Sequence, residues 1–167
     1  MLSKLLKEIG CIKFGDFILS SGKRSSYYVD IKKAITNPEV LEMIGKEIAK
    51  RVYEDKIAGI ELGSVPIASV VSVLAKKPLV IIRKKPKDYG TMSKIEGEIK
   101  EGEKVLIVED VTTTGNSVIK AINEVREAGG IVERVIVVVD REEGAEENLK
   151  KIGVKLEPLV RVSEIKD

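Results

Sequence analysis

Apolar residues along the chain follow two rhythms. Short runs of Val, Ile and Leu occupy 57–60, 79–82, 105–108 and 135–139. They are too short for helices and rich in β-branched residues, so they predict buried strands. Between them the apolar positions recur at helical spacing. Asn37, Pro38 and Glu39 supply an N-cap, a proline at the first helical position and an early acid, and Val40, Leu41, Ile44, Ile48 and Val52 continue the pattern to about Tyr53. A second, more apolar helix is expected over about 66–75. A third carries Val118, Ile122 and Val125 and stops at Gly129 and Gly130. The opening MLSKLLKEIG predicts a short amphipathic helix, and 14–19 and 27–31 predict two strands joined by the turn SSGKRSS in a hairpin-like flap. After 139, a turn at Asp140, Arg141 and Gly144 leads to a short acidic helix, a strand near 154–159 and a terminal helical turn.

Strands of nearly continuous Val, Ile and Leu that alternate with helices predict an α/β fold, a central parallel sheet flanked by helices on both faces. At 167 residues the chain fits a single domain, 1–167. A small hood (about 1–35) would precede the core (about 36–167). In such sheets ligands bind outside the carboxyl ends of the strands. Four strands here end on charge: Glu61, Arg83, the Glu109 and Asp110 pair, and the Asp140 and Arg141 pair. The stretch RKKPKDYGTMSKIEG is polar, aperiodic and centred on Gly90, which predicts a long flexible lid loop, 84–97.

Composition removes several classes of function. A net charge of +2, with basic and acidic residues interspersed, is no footprint for a nucleic acid. No apolar run approaches the ~18 residues that span a membrane, and Lys7 and Glu8 interrupt the first segment as a signal peptide would not allow. The lone Cys11 excludes an intramolecular disulfide, and a cytoplasmic location is expected. The chain contains no histidine, so Ser-His-Asp and Cys-His catalysis and imidazole zinc sites are excluded.

The chemistry concentrates in VLIVEDVTTTGNS, residues 105–117. A strand over 105–108 would end on Glu109 and Asp110. Thr112, Thr113, Thr114, Gly115, Asn116 and Ser117 then combine small hydroxyl side chains with a residue free to take positive φ, at the start of a helix. That combination suits a phosphate. An isolated acidic pair is usually a solvated strand end. The hydroxyl run is longer than one N-cap needs, and the carboxylates make sense if they accept hydrogen bonds from sugar hydroxyls, directly or through a metal. Lys84, Lys85 and Lys87 read either as an exposed basic turn or as a lid that neutralises phosphate. Tyr27 and Tyr28 alternate across a strand, so one packs and the other faces outward. No GxGxxG is present, and GEIKEGEK at 97–104 lacks the P-loop lysine and precedes its strand.

VLIVEDVTTTGNS resembles the phosphoribosyl diphosphate (PRPP) signature of the type I phosphoribosyltransferases. FILSSGKRSSYYVDIK, RKKPKDYGTMSKIEG and VVVDREEGA narrow the resemblance to the orotate phosphoribosyltransferases, over nearly the whole chain. The resemblance implies transfer of ribose 5-phosphate from PRPP to orotate, giving orotidine monophosphate and diphosphate in pyrimidine synthesis. It implies Mg²⁺ bound through PRPP, near Glu109 and Asp110 and without direct protein ligands. Residue by residue, Glu109 and Asp110 would hold the ribose hydroxyls. Val111, Thr112, Thr113, Thr114, Gly115, Asn116 and Ser117 would line the PRPP loop, and Arg83, Lys84, Lys87 and Tyr89 would serve the diphosphate. Thr113, Arg141, Tyr28 and Ser20 would face orotate. Lys87 and Asp110 are the implied catalytic groups. A homodimer with the lid shared across subunits is also implied. Tyr89 stands where many members have histidine, Ser20 where several have lysine, and the turn ELGSVP carries no lysine. A purine-specific relative is the enzyme alternative, against which the hood and Arg141 argue, because a neutral purine offers Arg141 no carboxylate. A non-catalytic PRPP sensor is the other, which would need a DNA-binding segment this chain has no residues to spare for.

Lys and Glu are abundant and thermolabile residues scarce, as in thermophilic proteins. Thermal unfolding should therefore lie above the mesophile range of roughly 45–65 °C. A calorimetric midpoint inside that range would remove the thermophile expectation.

Overall fold

The computed structural model describes residues 1–19, 22–88, 90 and 93–165. Helix α1 (Leu2–Glu8) precedes a hairpin of β1 (Ile12–Ile18) and β2 (Arg24–Val29), a single helical turn α2 (Lys32–Ile35) and helix α3 (Pro38–Ala49). Then come β3 (Lys56–Ile60), α4 (Val65–Ala75), β4 (Leu79–Ile82) and the two-residue β5 (Ile95–Glu96). The chain continues through β6 (Val105–Thr112), α5 (Asn116–Glu127), β7 (Arg134–Asp140), α6 (Ala145–Lys150) and β8 (Lys155–Arg161), and a 3-10 turn at Val162–Glu164 follows.

The apolar runs form the interior of a sheet ordered β5-β4-β3-β6-β7-β8, parallel throughout except for the short β5. Alternate residues feed two cores. Ile57, Leu106, Val108, Ile136 and Val138 join Ile44, Ile48, Ile67 and Val71 on the α3 and α4 side, while Ala58, Ile60, Ile107, Val135 and Val137 meet Val118, Ile122, Val125 and Leu149 of α5 and α6. Each large aliphatic side chain so buried contributes about 1.5–3 kcal/mol. Every residue of β3 and β7 is buried, which is why these strands read as continuous apolar runs. Asn37 caps α3 as expected, its side-chain oxygen accepting from the N–H groups of Glu39 (3.1 Å) and Val40 (3.2 Å).

Several boundaries differ from expectation, each for a physical reason. The hairpin strands start and end earlier than 14–19 and 27–31, because Ile12 pairs with Val29 and Ile18 with Arg24 across a bulge. Strand β6 does not end at Val108. Its pairing continues through Glu109↔Val137 and Thr112↔Asp140, so the backbone ladder overrides the polar side chains. Strand β8 runs past Leu159 to Arg161 and accommodates Pro158 because it is an edge strand. The expected long loop is shortened at its far end, where Ile95 and Glu96 pair antiparallel with Ile82 and Ile81. Helix α3 stops at Ala49, short of Tyr53. No helix among the described residues is long and apolar enough to cross a membrane.

The amino ends of the strands are tied together by Arg134. Its guanidinium donates to both oxygens of Glu54 (2.8 and 2.9 Å), to Glu157 (3.0 Å) and to the carbonyl of Arg51 (2.6 Å), and it lies 4.5 Å from the Tyr53 ring centre. Both Glu54 and Arg134 are buried, so neither charge can turn to water. Glu54→Ala should destabilise the protein by about 3–5 kcal/mol in urea unfolding, because it strands a buried cation. Glu54→Leu combined with Arg134→Met should cost less than the single change. A double variant worse than Glu54→Ala would show that the pair, rather than the unpaired charge, carries the effect.

Candidate active site

The chain order reverses between β3 and β6, since β3 leads through α4 to β4 on one side while β6 continues on the other. Such a switch point opens a crevice at the strand carboxyl ends. On its β3 side the turn at 61–64 folds tightly. The Ser64 hydroxyl donates to the Ile60 carbonyl (2.9 Å) and accepts from the Ile60 N–H (2.6 Å), and the Glu61–Leu62 peptide is cis. On its β6 side stand Glu109 and Asp110. A Cβ on Gly63 would overlap the Asp110 Oδ2, so a larger residue here would have to displace the Asp110 carboxylate from its place against the turn.

The two adjacent acids occupy different environments because successive strand residues point to opposite faces. Glu109 is buried, with its Oε1 accepting from the Asp110 N–H at 3.1 Å. Asp110 is half-exposed, with Oδ1 accepting from the Val111 N–H at 2.8 Å. Burial, reinforced by the neighbouring Asp110 carboxyl, pushes the Glu109 carboxyl well above its ordinary range.

Beyond Thr112 the strand gives way to the hydroxyl loop. Thr113, Thr114, Asn116 and Ser117 are exposed, whereas Gly115 is buried at φ 86°. A Cβ there would lie 2.9 Å from Leu149 Cδ1, so Gly115 is required both by its backbone angle and by its contact with α6. The same helix holds the loop, with the Ala145 N–H donating to the Thr113 carbonyl (3.2 Å) and the Asn148 amide to the Thr114 carbonyl (2.8 Å). Exposed hydroxyls thus lead directly into the start of α5, where the free N–H groups of a helix N-terminus favour a phosphate. Thr112 is placed differently. Its hydroxyl is buried and donates to Asp140 Oδ1 at 2.9 Å, locking β6 to β7.

At the end of β7, Arg141 is anchored through its N–H to the Thr112 carbonyl (2.9 Å), and its guanidinium meets Tyr27 of the hood. The strand alternation therefore gives Tyr27 to the crevice side. Tyr28 is 43% exposed on the other face, its ring 5.8 Å from Phe17. The basic residues at the lid base fold onto the sheet edge: Glu96 lies 2.9 Å from Lys87 Nζ and 3.6 Å from Arg83 Nη1. The Lys84 N–H donates to Glu61 Oε2 (3.0 Å), connecting the lid to the β3 turn. A cavity of about 630 Å³ between the lid base and α5 is lined in part by Arg83, Lys84, Lys94, Ser117 and Lys120. Ser20 and Tyr89 lie outside the described residues.

Sequence reasoning placed Gly63 and Ser64 in the ELGSVP turn without giving either a role, and it missed Glu96 as part of this region. Gly63 gave a weak signal, as a glycine directly after a strand end. Glu96 gave none, since its role depends on β5 folding back along β4.

A phosphoribosyl transferase domain profile matches residues 32–162. The orotate phosphoribosyltransferase of Methanocaldococcus jannaschii is 66% identical over 166 residues, covering 98% of this chain and 94% of that protein. That of Pyrococcus abyssi is 56% identical, covering 98% and 93%. Among solved structures, orotate phosphoribosyltransferase from Aeropyrum pernix superposes with a TM-score of 0.87 at 35% identity, covering 99% of this chain and 96% of that one. Adenine phosphoribosyltransferase from Leishmania donovani shares the fold at a TM-score of 0.77 with 17% identity, covering 99% and 82%. The fold alone therefore leaves the base open.

The buried Glu109 carboxyl should leave a mark on stability. In the unfolded chain it titrates near its ordinary value of 4.5, and in the folded protein at higher pH. Between these values the folded state holds the extra proton. The Glu109 contribution is thus fully present below 4.5 and is lost as pH rises through the folded-state value. Glu109→Gln, which imitates the protonated acid, should be more stable than the unsubstituted protein at neutral pH, with the advantage shrinking towards pH 4.5. Parallel stability curves for the two proteins across this range would contradict that assignment.

Proposed function

The chain belongs to the orotate phosphoribosyltransferase family, and on that premise we propose how its crevice carries out the transfer of ribose 5-phosphate from PRPP to orotate. What supports this most directly is the meeting of three groups at one sheet edge: the Asp110 carboxylate over Gly63, the hydroxyl loop at 113–117, and Arg141 at the end of the neighbouring strand.

In this reading the loop and the start of α5 bind the 5-phosphate, as the exposed hydroxyls and helix N-terminus favour. Asp110, the accessible member of the acidic pair, accepts hydrogen bonds from the ribose hydroxyls, and Glu109 supports it from the buried side. Arg141 faces the orotate carboxylate, with Thr113 beside the base. Of the two hood tyrosines it is Tyr27 that meets Arg141, while Tyr28, expected at the base, lies on the other face of β2. Arg83, Lys84 and Lys87 neutralise the diphosphate, with Tyr89 on the same lid. The C1–oxygen bond to diphosphate breaks with its electrons on the leaving group, and the N1 of orotate forms the new bond as its proton is lost. The sugar passes through an oxocarbenium-like state, so fixed charge and exclusion of water are the available means of catalysis in a chain without histidine.

Magnesium suits this donor set. Mg²⁺ keeps several waters and is commonly held through substrate phosphates rather than by a protein cage, so it would be carried by PRPP, with the half-exposed Asp110 carboxylate nearby and Glu109 buried behind it. When bound it supplies charge neutralisation to the diphosphate. A homodimer is supported by α4, an apolar helix interrupted only by Ser69 and Ser72, which leaves large aliphatic side chains exposed near its two ends. Ile67, Ala68 and Val71 are buried, while Leu62 just before it, Val73 and Leu74 are 74%, 65% and 42% exposed. A lid shared across that dimer would bring Lys87 to the partner's crevice. The cytoplasm is the proposed location, in keeping with a single, buried and unpaired cysteine.

Mixing the protein with PRPP, Mg²⁺ and orotate should consume orotate absorbance, with adenine, guanine and uracil unreacted in parallel. Turnover of a purine in preference to orotate would overturn the reading. Lys87→Ala should lower kcat by roughly 10²–10³-fold, the scale of losing one charge-stabilising group, with little change in orotate binding. An unchanged rate would take Lys87 out of the mechanism.

A further inference from the structure

Tyr27 and Arg141 are 114 positions apart in sequence, yet they make three contacts. Arg141 Nε donates to the Tyr27 hydroxyl at 3.2 Å, that hydroxyl donates to the Arg141 carbonyl at 3.3 Å, and the guanidinium carbon lies 4.8 Å from the ring centre. One phenol thus occupies both its donor and its acceptor capacity on a single residue while its ring supports the same cation. A second group competes for that nitrogen. Glu143 Oε2 lies 3.6 Å from the same Nε, beyond hydrogen-bond range but close enough to attract the charge. Among the described residues no protein hydrogen bond engages the two terminal nitrogens of Arg141. They form the bidentate edge that a carboxylate accepts.

We infer that Tyr27 is a positioning residue for substrate selection: it holds Arg141 with its terminal nitrogens towards the carboxylate of the base and keeps the guanidinium from collapsing onto Glu143. This rests on the reading of Arg141 as the group that meets the orotate carboxylate. The chemistry required of the ligand is a planar heterocycle bearing a carboxylate. A base without one gains nothing from the arrangement. The inference also gives the hood a function in specificity, since among the described residues β2 supplies the side-chain hydrogen bond that holds the Arg141 guanidinium.

Tyr27→Phe keeps the ring and removes the hydroxyl, so the fold should persist, which a thermal midpoint checks. The KM for orotate should rise about tenfold, the scale of one hydrogen bond to a charged group, while kcat and the KM for PRPP stay within about twofold. Glu143→Gln alone should change little, because Tyr27 still holds the guanidinium. Added to Tyr27→Phe, it should restore part of the lost orotate affinity by removing the competing charge. A merely structural role for Tyr27 predicts no such rescue. An unchanged KM for orotate in Tyr27→Phe, or a double variant no better than the single one, would overturn the proposal while leaving the functional reading intact. Failure of the unsubstituted protein to consume orotate would remove both.

Discussion

A parallel sheet covered on both faces has nowhere to put charge except at its two ends, and the rest of this molecule follows from that constraint. Strands β3 and β7 are buried along their whole length, and β6 is buried from Val105 through Glu109. Within such strands a polar side chain must be hydrogen-bonded or lie at an end where partners or water can reach it. Both ends of this sheet carry buried carboxylates; Asp140 is bonded to Thr112 and paired with Arg161 at 3.7 Å, while Glu54 and Glu109 are treated in opposite ways.

At the amino ends, Glu54 is matched by Arg134 with two hydrogen bonds, and Glu157 and the Arg51 carbonyl take up further guanidinium donors. At the carboxyl ends, Glu109 is buried beside another carboxyl, and among the described residues no cation pairs with it. One end satisfies its charges and joins three segments of chain. The other keeps a carboxyl in an environment that disfavours its ionised form. Carboxyls pushed out of their ordinary ionisation range in this way are characteristic of sites shaped for a ligand rather than for stability. Two glycines border this end: Gly63 lets the β3 turn lie against Asp110, and Gly115 lets the hydroxyl loop pack against α6.

Much of this was legible from residue pattern alone. The interior strands announced themselves because full burial demands unbroken Val, Ile and Leu, and α3 because its cap and periodicity agree. The phosphate loop was visible because hydroxyls, glycine and a helix start fall together in twelve or so residues of local sequence. What escaped was whatever depended on pairing between distant segments. Strand β6 extends through Glu109 and Asp110 because β7 lies beside it, a fact absent from the local composition. Strand β5 lies inside a stretch that reads as loop and exists only through its pairing with β4. The choice between Tyr27 and Tyr28 is a matter of register, which the hairpin bulge decides.

The same distinction separates what this fold shares with its relatives from what selects a substrate. The acidic pair and phosphate loop are built from one strand, one turn and one helix, so they can be inherited as a block by enzymes acting on different bases. On the proposed function, the elements that would distinguish a carboxylated base come from elsewhere: a hairpin strand that meets Arg141, and the segment after β4 whose cations rest on Glu96. Arg83 and Lys87 are already neutralised there by a carboxylate on their own chain. To serve a diphosphate they must exchange that partner for a more highly charged one. Such an exchange costs little, since the Glu96 pairs are partly solvated and correspondingly weak. On the proposed function, a segment held by such partly solvated pairs could yield its cations to a polyanionic substrate, whereas the Glu54 and Arg134 pair at the opposite end of the sheet is buried on both partners and cannot give up either without stranding a charge.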